Sequence, residues 1–259
     1  MESVPRLITI PLSHYCEKAR WALDRSGIEY REEPHIPFVH MFHTARVGCR
    51  SVPALVVESE AIPDSHTIVE WAAAHGTDRE LYPEDPNNRA RVSEIEHFAD
   101  RELGPHVRRW AYSHLLDSPG LLLPCFRRGV IGLENHIAPL VTLTVRPLIR
   151  RAYRIDTGTG RASLARAAAA LSRIGSWLEE GQRYLIGDRF TAADLTVASL
   201  AAPLLYPPEY GGTLPPMDAL PAPMRADIER VRTERAATFI LELYAQERRL
   251  RSAVPSQRI

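Results

Sequence analysis

Lysine is almost absent: Lys18 stands alone among 32 Lys+Arg residues in a chain of 259. Chemistry that needs a lysine nucleophile or Schiff base therefore has one candidate. Arginine everywhere else reads first as the coding bias of a GC-rich genome, and only second as a need for its planar fork. Cysteine is scarce too. Cys16, Cys49 and Cys125 are too few for a disulfide framework and fit a reducing compartment, so the cytoplasm is expected. Residues 1–6 lack the basic and apolar regions of a signal peptide. Net charge is missing, with 32 Lys+Arg against 32 Asp+Glu. That balance argues against a broad basic surface, and no nucleic-acid partner is expected. Long apolar runs are missing as well. The least polar stretch, residues 129–149, holds Glu134, His136, Pro139, Arg146 and Pro147, so no membrane span is expected.

What is present is ordinary globular composition, 45% hydrophobic and 25% charged, and enough chain for one large domain or two modest ones. Residues 6–10 alternate polar and apolar and read as a strand. A helical pattern over 14–26 follows, with Gly27 where a C-cap glycine belongs. Residues 28–32 read as a second strand, 34–51 as a histidine-rich loop, 54–57 as a third strand and 61–62 as a short fourth. A helix capped by Asp64 or Ser65 runs to about residue 75. This order predicts a compact α/β domain over residues 1–80. Residues 76–89 carry turn-forming residues and read as a linker. Helical spacing then dominates 90–116, 164–180 and 222–251, so residues 90–259 are expected to form an all-helical domain. Seven prolines between Pro203 and Pro223 mark a long irregular connection.

Three segments could carry chemistry. In Ser13-His14-Tyr15-Cys16-Glu17-Lys18 a strand gives way to a helix starting at or just after Ser13. Unpaired N–H groups and the positive end of the helix dipole favour an anion there. Ser13 adds a hydroxyl donor. A thiol of pKa about 8.5 is only a few per cent ionised at neutral pH. Lowering that pKa by about two units takes roughly 2.7 kcal/mol, the size of a helix terminus plus one or two charged hydrogen bonds. Ser13 as a plain N-cap accounts for the same spacing. Around residues 51–57, Pro53 just before a strand suggests a fixed turn beside backbone free to pair with an extended ligand. Asp64 and Ser65 begin another helix, as caps or as holders of a ligand's amino and carboxylate groups. Thr191 and Asp194 form a capping-box pattern, which concerns folding.

SHYCEKARWAL, SVPAL, DSHTI and GDRFTAADL, in this order and at these separations, resemble the soluble glutathione transferases across nearly the whole chain. The resemblance implies a thioredoxin-like α/β domain followed by an all-α domain, with glutathione as cosubstrate. It places Ser13 at the position that hydrogen-bonds the glutathione sulfur in serine-type classes. Val52, before the family's cis-proline at Pro53, would pair with the cysteinyl moiety, and Asp64 with Ser65 would bind the γ-glutamyl end. His40 or Arg50 would meet the glycine carboxylate. Where thiol-transferring relatives carry a cysteine this chain has Ser13, so Cys16 is expected to be a buried packing residue. Tyr15, about 200° from Ser13 on an ideal helix, is the less favoured hydroxyl. His35, His40, His43 and Cys49 fit no compact zinc spacing, and no metal is expected.

Residues 112–161 and 203–223 are longer than in typical members, and Tyr112, Leu116, Phe126 and Tyr206 are expected to line an apolar second site. The function this implies is conjugation of glutathione to a hydrophobic electrophile by a homodimer. The alternatives are a non-catalytic ligand-binding or regulatory protein, or a glutathione-dependent isomerase, dehalogenase or ether-cleaving lyase. A different low-molecular-weight thiol also remains open.

Overall fold

The computed structural model describes residues 4–77, 81–156 and 158–248. Strand β1 (Arg6–Thr9) leads into α1 (His14–Arg25), β2 (Arg31–Pro34), α2 (Val39–Arg46), β3 (Ala54–Val57), β4 (Glu60–Pro63) and α3 (Ser65–His75). The sheet order is β2-β1-β3-β4, with β2 parallel to β1 and the other two pairings antiparallel. Helices follow: α4 (Pro86–Phe98), α5 (Gly104–Leu115), α6 (Pro119–Arg127), α7 (Gly132–Ala152), α8 (Thr159–Trp177), α9 (Ala192–Leu205), α10 (Ala222–Val231) and α11 (Arg235–Glu247). This is a four-stranded mixed α/β domain joined to a helical one.

Several local expectations shift. The second strand begins at Arg31, not residue 28, because the end of α1 consumes the intervening residues. Gly27 takes φ 69°, and Ile28 N–H bonds back to the Leu23 carbonyl at 3.0 Å. The histidine-rich segment is not all loop, since residues 39–46 form α2. That helix has no side-chain cap and buries only Thr44, so neither a cap nor an apolar stripe announces it. The helix expected over 90–116 starts earlier, at Pro86 with Asp85 capping the Asn88 N–H, and widens into a π turn over Ala99–Leu103. Pro105 lacks an N–H and its ring would crowd a carbonyl one turn back; the wider turn just before it relieves both problems. The helix expected over 222–251 is two helices, broken where Arg232 turns inward to donate to the carbonyls of Leu205 and Tyr206. Residues 249–251 lie outside the described residues.

Helix α9 is buried along its whole length and is the axis of the helical part. Its start is the expected capping box. Asp194 accepts from Thr191 N–H (2.8 Å), Thr191 Oγ1 (2.9 Å) and Leu185 N–H (2.8 Å). Burial pushes the Asp194 carboxyl up to about 6 despite these donors. Asp194→Asn presents an NH2 group to one of these N–H donors and is expected to cost about 1–3 kcal/mol, read as a lower denaturant midpoint. An unchanged midpoint would show that the box contributes no net stability.

Helix α1 is buried on nearly every side between the sheet domain and the helices, and it carries Glu17, Lys18 and Arg20 inside. Arg248 bonds Glu17 (2.7 Å) and Asp24 (2.8 Å), Arg20 bonds Glu32 (2.7 Å), and Lys18 lies 3.4 Å from Glu96 and 3.2 Å from Asp100. The single lysine is thus a fully buried tie between α1 and the α4 segment. Its burial removes it from the cavity described next. Among the described residues no helix is long and apolar enough to cross a membrane.

Candidate active site

A cavity of about 700 Å³ opens between the α/β domain and the helices. One wall is Ser13, Tyr15, Val52, Pro53, Asp64, Ser65 and His40. The other includes Arg108, Ala111, Tyr112, Leu115, Tyr153 and Tyr206. Of the residues anticipated for the thiol, Ser13, Val52, Pro53, Asp64, Ser65 and His40 come together on this cavity. Arg50 is exposed and outside its lining.

Ser13 is the N-cap of α1, with extended backbone (φ −73°, ψ 124°) and its Oγ accepting from the Cys16 N–H at 3.3 Å. Capping uses a lone pair and leaves the hydroxyl proton for donation, so capping and thiol binding are compatible roles for one hydroxyl. Cys16 is fully buried, and burial pushes its thiol up, away from thiolate character. Tyr15 was expected to face away from Ser13, yet it too lines the cavity. The helical angle does not apply, because Ser13 lies before the first helical residue. Burial pushes the Tyr15 phenol up to about 12, so it stays protonated at neutral pH. Gly104 makes room for it: a Cβ there would sit 2.5 Å from the Tyr15 hydroxyl.

The Val52–Pro53 peptide is cis, and the sheet ladders begin only at Ala54, leaving the Val52 peptide groups outside the sheet. Asp64 caps α3 through Oδ1, which accepts from Thr67 N–H at 2.9 Å, while its backbone holds φ 52°, ψ 164°. That region is essentially a glycine one, costing of order 1–3 kcal/mol for other residues, and such strain clusters at ligand sites. Ser65 is buried at the first turn of α3 and faces the cavity. Burial pushes the His40 imidazole down to about 4, so at neutral pH it is an uncharged hydrogen-bonding group.

The second wall differs from expectation in part. Tyr112 and Tyr206 line the cavity; Leu116 and Phe126 are buried in the core. Arg108, Ala111, Tyr112 and Leu115 follow i, i+3, i+4, i+7 spacing and present one face of α5, whereas Leu116 lies on the next. Two charged lining residues were not anticipated. Asp100, brought in by the π turn, pairs through Oδ2 with Lys18 while its buried Oδ1 has no hydrogen-bond partner among the described residues, and Arg108 approaches two tyrosine rings.

Among the described residues one metal-ligand type cluster forms: His35, His43 and Glu134, with candidate atoms within 4.8 Å of one another. His40 and Cys49 are not part of it. The two rings stack with centroids 3.6 Å and planes 21° apart, so their in-plane lone pairs run side by side rather than converging. Glu134 Oε1 accepts from the Ile36 N–H at 2.6 Å and Oε2 lies 2.8 Å from His35 Nδ1. Burial pushes the Glu134 carboxyl up, but these hydrogen bonds outweigh it and hold it below the usual range. The cluster clasps α7 to the α/β domain. Removing a carboxylate that accepts two such bonds costs a few kcal/mol. Glu134→Ala is expected to speed amide exchange across residues 119–152 by about tenfold or more. Exchange at the original rate would show that the clasp does not hold this hairpin.

The start of the first helix, the turn before β3 and the start of the third helix converge on one cavity of the α/β domain, which the helical part closes from the other side. Residues 7–79 match the family model for the glutathione S-transferase N-terminal domain, and residues 140–222 match the glutathione S-transferase C-terminal domain. The chain belongs to the glutathione transferase family. No curated protein matches it in sequence. Its fold is similar to glutathione transferase GSTFuA3 from Phanerochaete chrysosporium, with a TM-score of 0.64 and 16% identity over 98% of this chain and 100% of that one. It is also similar to the beta-etherase LigF from Sphingobium sp. strain SYK-6, with a TM-score of 0.58 and 18% identity over 93% and 99%. A glutathione S-transferase from Xanthobacter autotrophicus Py2 gives 0.57 and 16% over 93% of each chain. At such identities the likeness is one of fold.

Proposed function

We propose that this protein is a serine-type glutathione transferase that holds the glutathione thiol as thiolate at Ser13 and directs it at a hydrophobic electrophile. The observation that supports this best is the position of Ser13. Its hydroxyl stands at the start of α1, on a cavity whose far wall is the Ala111, Tyr112 and Leu115 face of α5. The dipole end and the hydroxyl proton both favour a sulfur anion, and the thiolate faces an apolar space sized for a small molecule. The Val52 backbone pairs with the cysteinyl unit. The α3 start with Ser65 takes the γ-glutamyl carboxylate, and Asp64 and the bare Oδ1 of Asp100 take its ammonium. His40, uncharged, gives the glycine carboxylate a hydrogen bond rather than an ion pair; Arg50, exposed and next to the lining residue Ser51, is the alternative partner for that carboxylate. The chemistry uses no metal, and the active form is a cytoplasmic homodimer.

Calorimetric titration with reduced glutathione tests the cosubstrate. Binding in the micromolar-to-millimolar range, followed by conjugate formation with an aryl halide, is the expected result. Binding without turnover of any electrophile would favour a ligand carrier, and no binding would remove glutathione. Ether cleavage would use the same thiolate on another leaving group, so aryl ethers belong in the same screen.

A further inference from the structure

Among the described residues Arg108 is a cation without a carboxylate partner. Its guanidinium lies 4.4 Å from the centre of the Tyr153 ring and 5.4 Å from that of Tyr15, and its Nε is buried with no hydrogen-bond partner. Among the described residues no carboxylate comes within ion-pair distance of it. The two carboxylates that line the cavity do not pair with it: Asp64 caps α3 through Thr67, and Asp100 holds Lys18 through Oδ2. The neighbouring arginines contrast with it, since Arg109 donates to the Tyr153 carbonyl and Arg150 grips Asp117. A half-buried guanidinium between aromatic faces keeps its fork of N–H donors free for a planar oxyanion. Its charge reaches the surroundings: burial and Arg108 together push the His14 imidazole down to about 3.

The wall on which it sits also sets its partner. Arg108 shares its face of α5 with Ala111, Tyr112 and Leu115, the wall assigned to the second substrate, and reaches from there to the Tyr15 ring. An anion bound there belongs to the second substrate. We propose that Arg108 makes this cavity selective for electrophiles that carry a carboxylate on an aromatic body, the rings of Tyr15 and Tyr153 stacking beside the carboxylate's guanidinium partner. The proposal rests on the transferase reading for the reaction, although the binding preference stands without it.

The test uses a matched pair, 4-chloro-3-nitrobenzoate and its methyl ester. In either, the glutathione thiolate forms a C–S bond to the ring and chloride leaves with the C–Cl electron pair. In Arg108→Met the ratio of carboxylate to ester kcat/KM is expected to fall about 30-fold, the loss of one charge-assisted pair, with Arg108→Lys in between. Calorimetry with 3-nitrobenzoate and its methyl ester, which cannot react, reads binding alone and should show the same loss for the acid. Equal losses for acid and ester would make Arg108 a packing residue and overturn the proposal. A weakened glutathione Kd in Arg108→Met would assign it to the thiol site, with the same consequence. If neither chloride reacts but 3-nitrobenzoate binds through Arg108, the transferase reading fails and this inference stands. If the chloro ester reacts and 3-nitrobenzoate does not bind, the reverse holds.

Discussion

Ser13→Ala is expected to lower kcat by about 10–100-fold at pH 7 while shifting glutathione affinity by less than about threefold, because in the proposed mechanism the hydroxyl acts on the thiolate and not on the rest of the tripeptide. The pH dependence carries the argument. With a bound thiol pKa of about 6.5 roughly three quarters is ionised at pH 7, against about 3% at 8.5. A less basic thiolate is also a weaker nucleophile, so part of that gain is returned and the rest of the advantage lies in positioning. Above about pH 9 both proteins carry mostly thiolate, and the defect should shrink to the positioning component alone. The fold should survive, since Ser13 gives α1 one capping bond, worth about 1 kcal/mol. A defect of constant size from pH 6 to 10 would mean that Ser13 positions the sulfur without ionising it.

The second large effect concerns stability. Lys18→Met is expected to destabilise the protein by about 3–5 kcal/mol, because it strands the Glu96 carboxylate in the interior. Glu96 also accepts from Tyr82 Oη (2.9 Å) and Thr196 Oγ1 (3.0 Å) and lies 3.4 Å from His66 Nδ1. Burial pushes the Glu96 carboxyl up, but the His66 hydrogen bond, the Lys18 charge and the Tyr82 hydroxyl outweigh it and hold it at about 2. A folded value below the unfolded one means that this stabilisation is present above about pH 4.5 and is lost as pH falls toward 2. The deficit of Lys18→Met should therefore narrow in that window. Adding Glu96→Gln should restore part of the loss, because a neutral amide can stay buried beside Tyr82 and Thr196 without a counter-ion. A single variant as stable as the parent would show that the buried pair contributes nothing net.

How much of this was legible in the sequence depends on the distance each feature spans. The strands and the caps at Ser13, Asp64 and Thr191 show in local spacing, and the structure puts caps at all three. Helix α2 did not show, because it has neither a side-chain cap nor an apolar stripe and is held by its surroundings. The second wall was half legible. The four-residue pattern through Arg108 and Tyr112 is written in the chain, but which face of α5 meets the cavity depends on how α5 packs against α8 and α9. Nothing near Lys18 in the chain announces its burial: its partners Glu96, on α4, and Asp100, in the π turn that follows, lie about eighty positions away. The His35–Glu134 clasp spans a similar distance and joins the loop after β2 to α7.

The most direct measurement of the central claim is an ultraviolet titration of the thiolate of glutathione bound to the wild-type protein and to Ser13→Ala. The account predicts an apparent thiol pKa near 6.5 in the first and a return toward about 8.5 in the second. A thiol that titrates at its solution value in both proteins would contradict it.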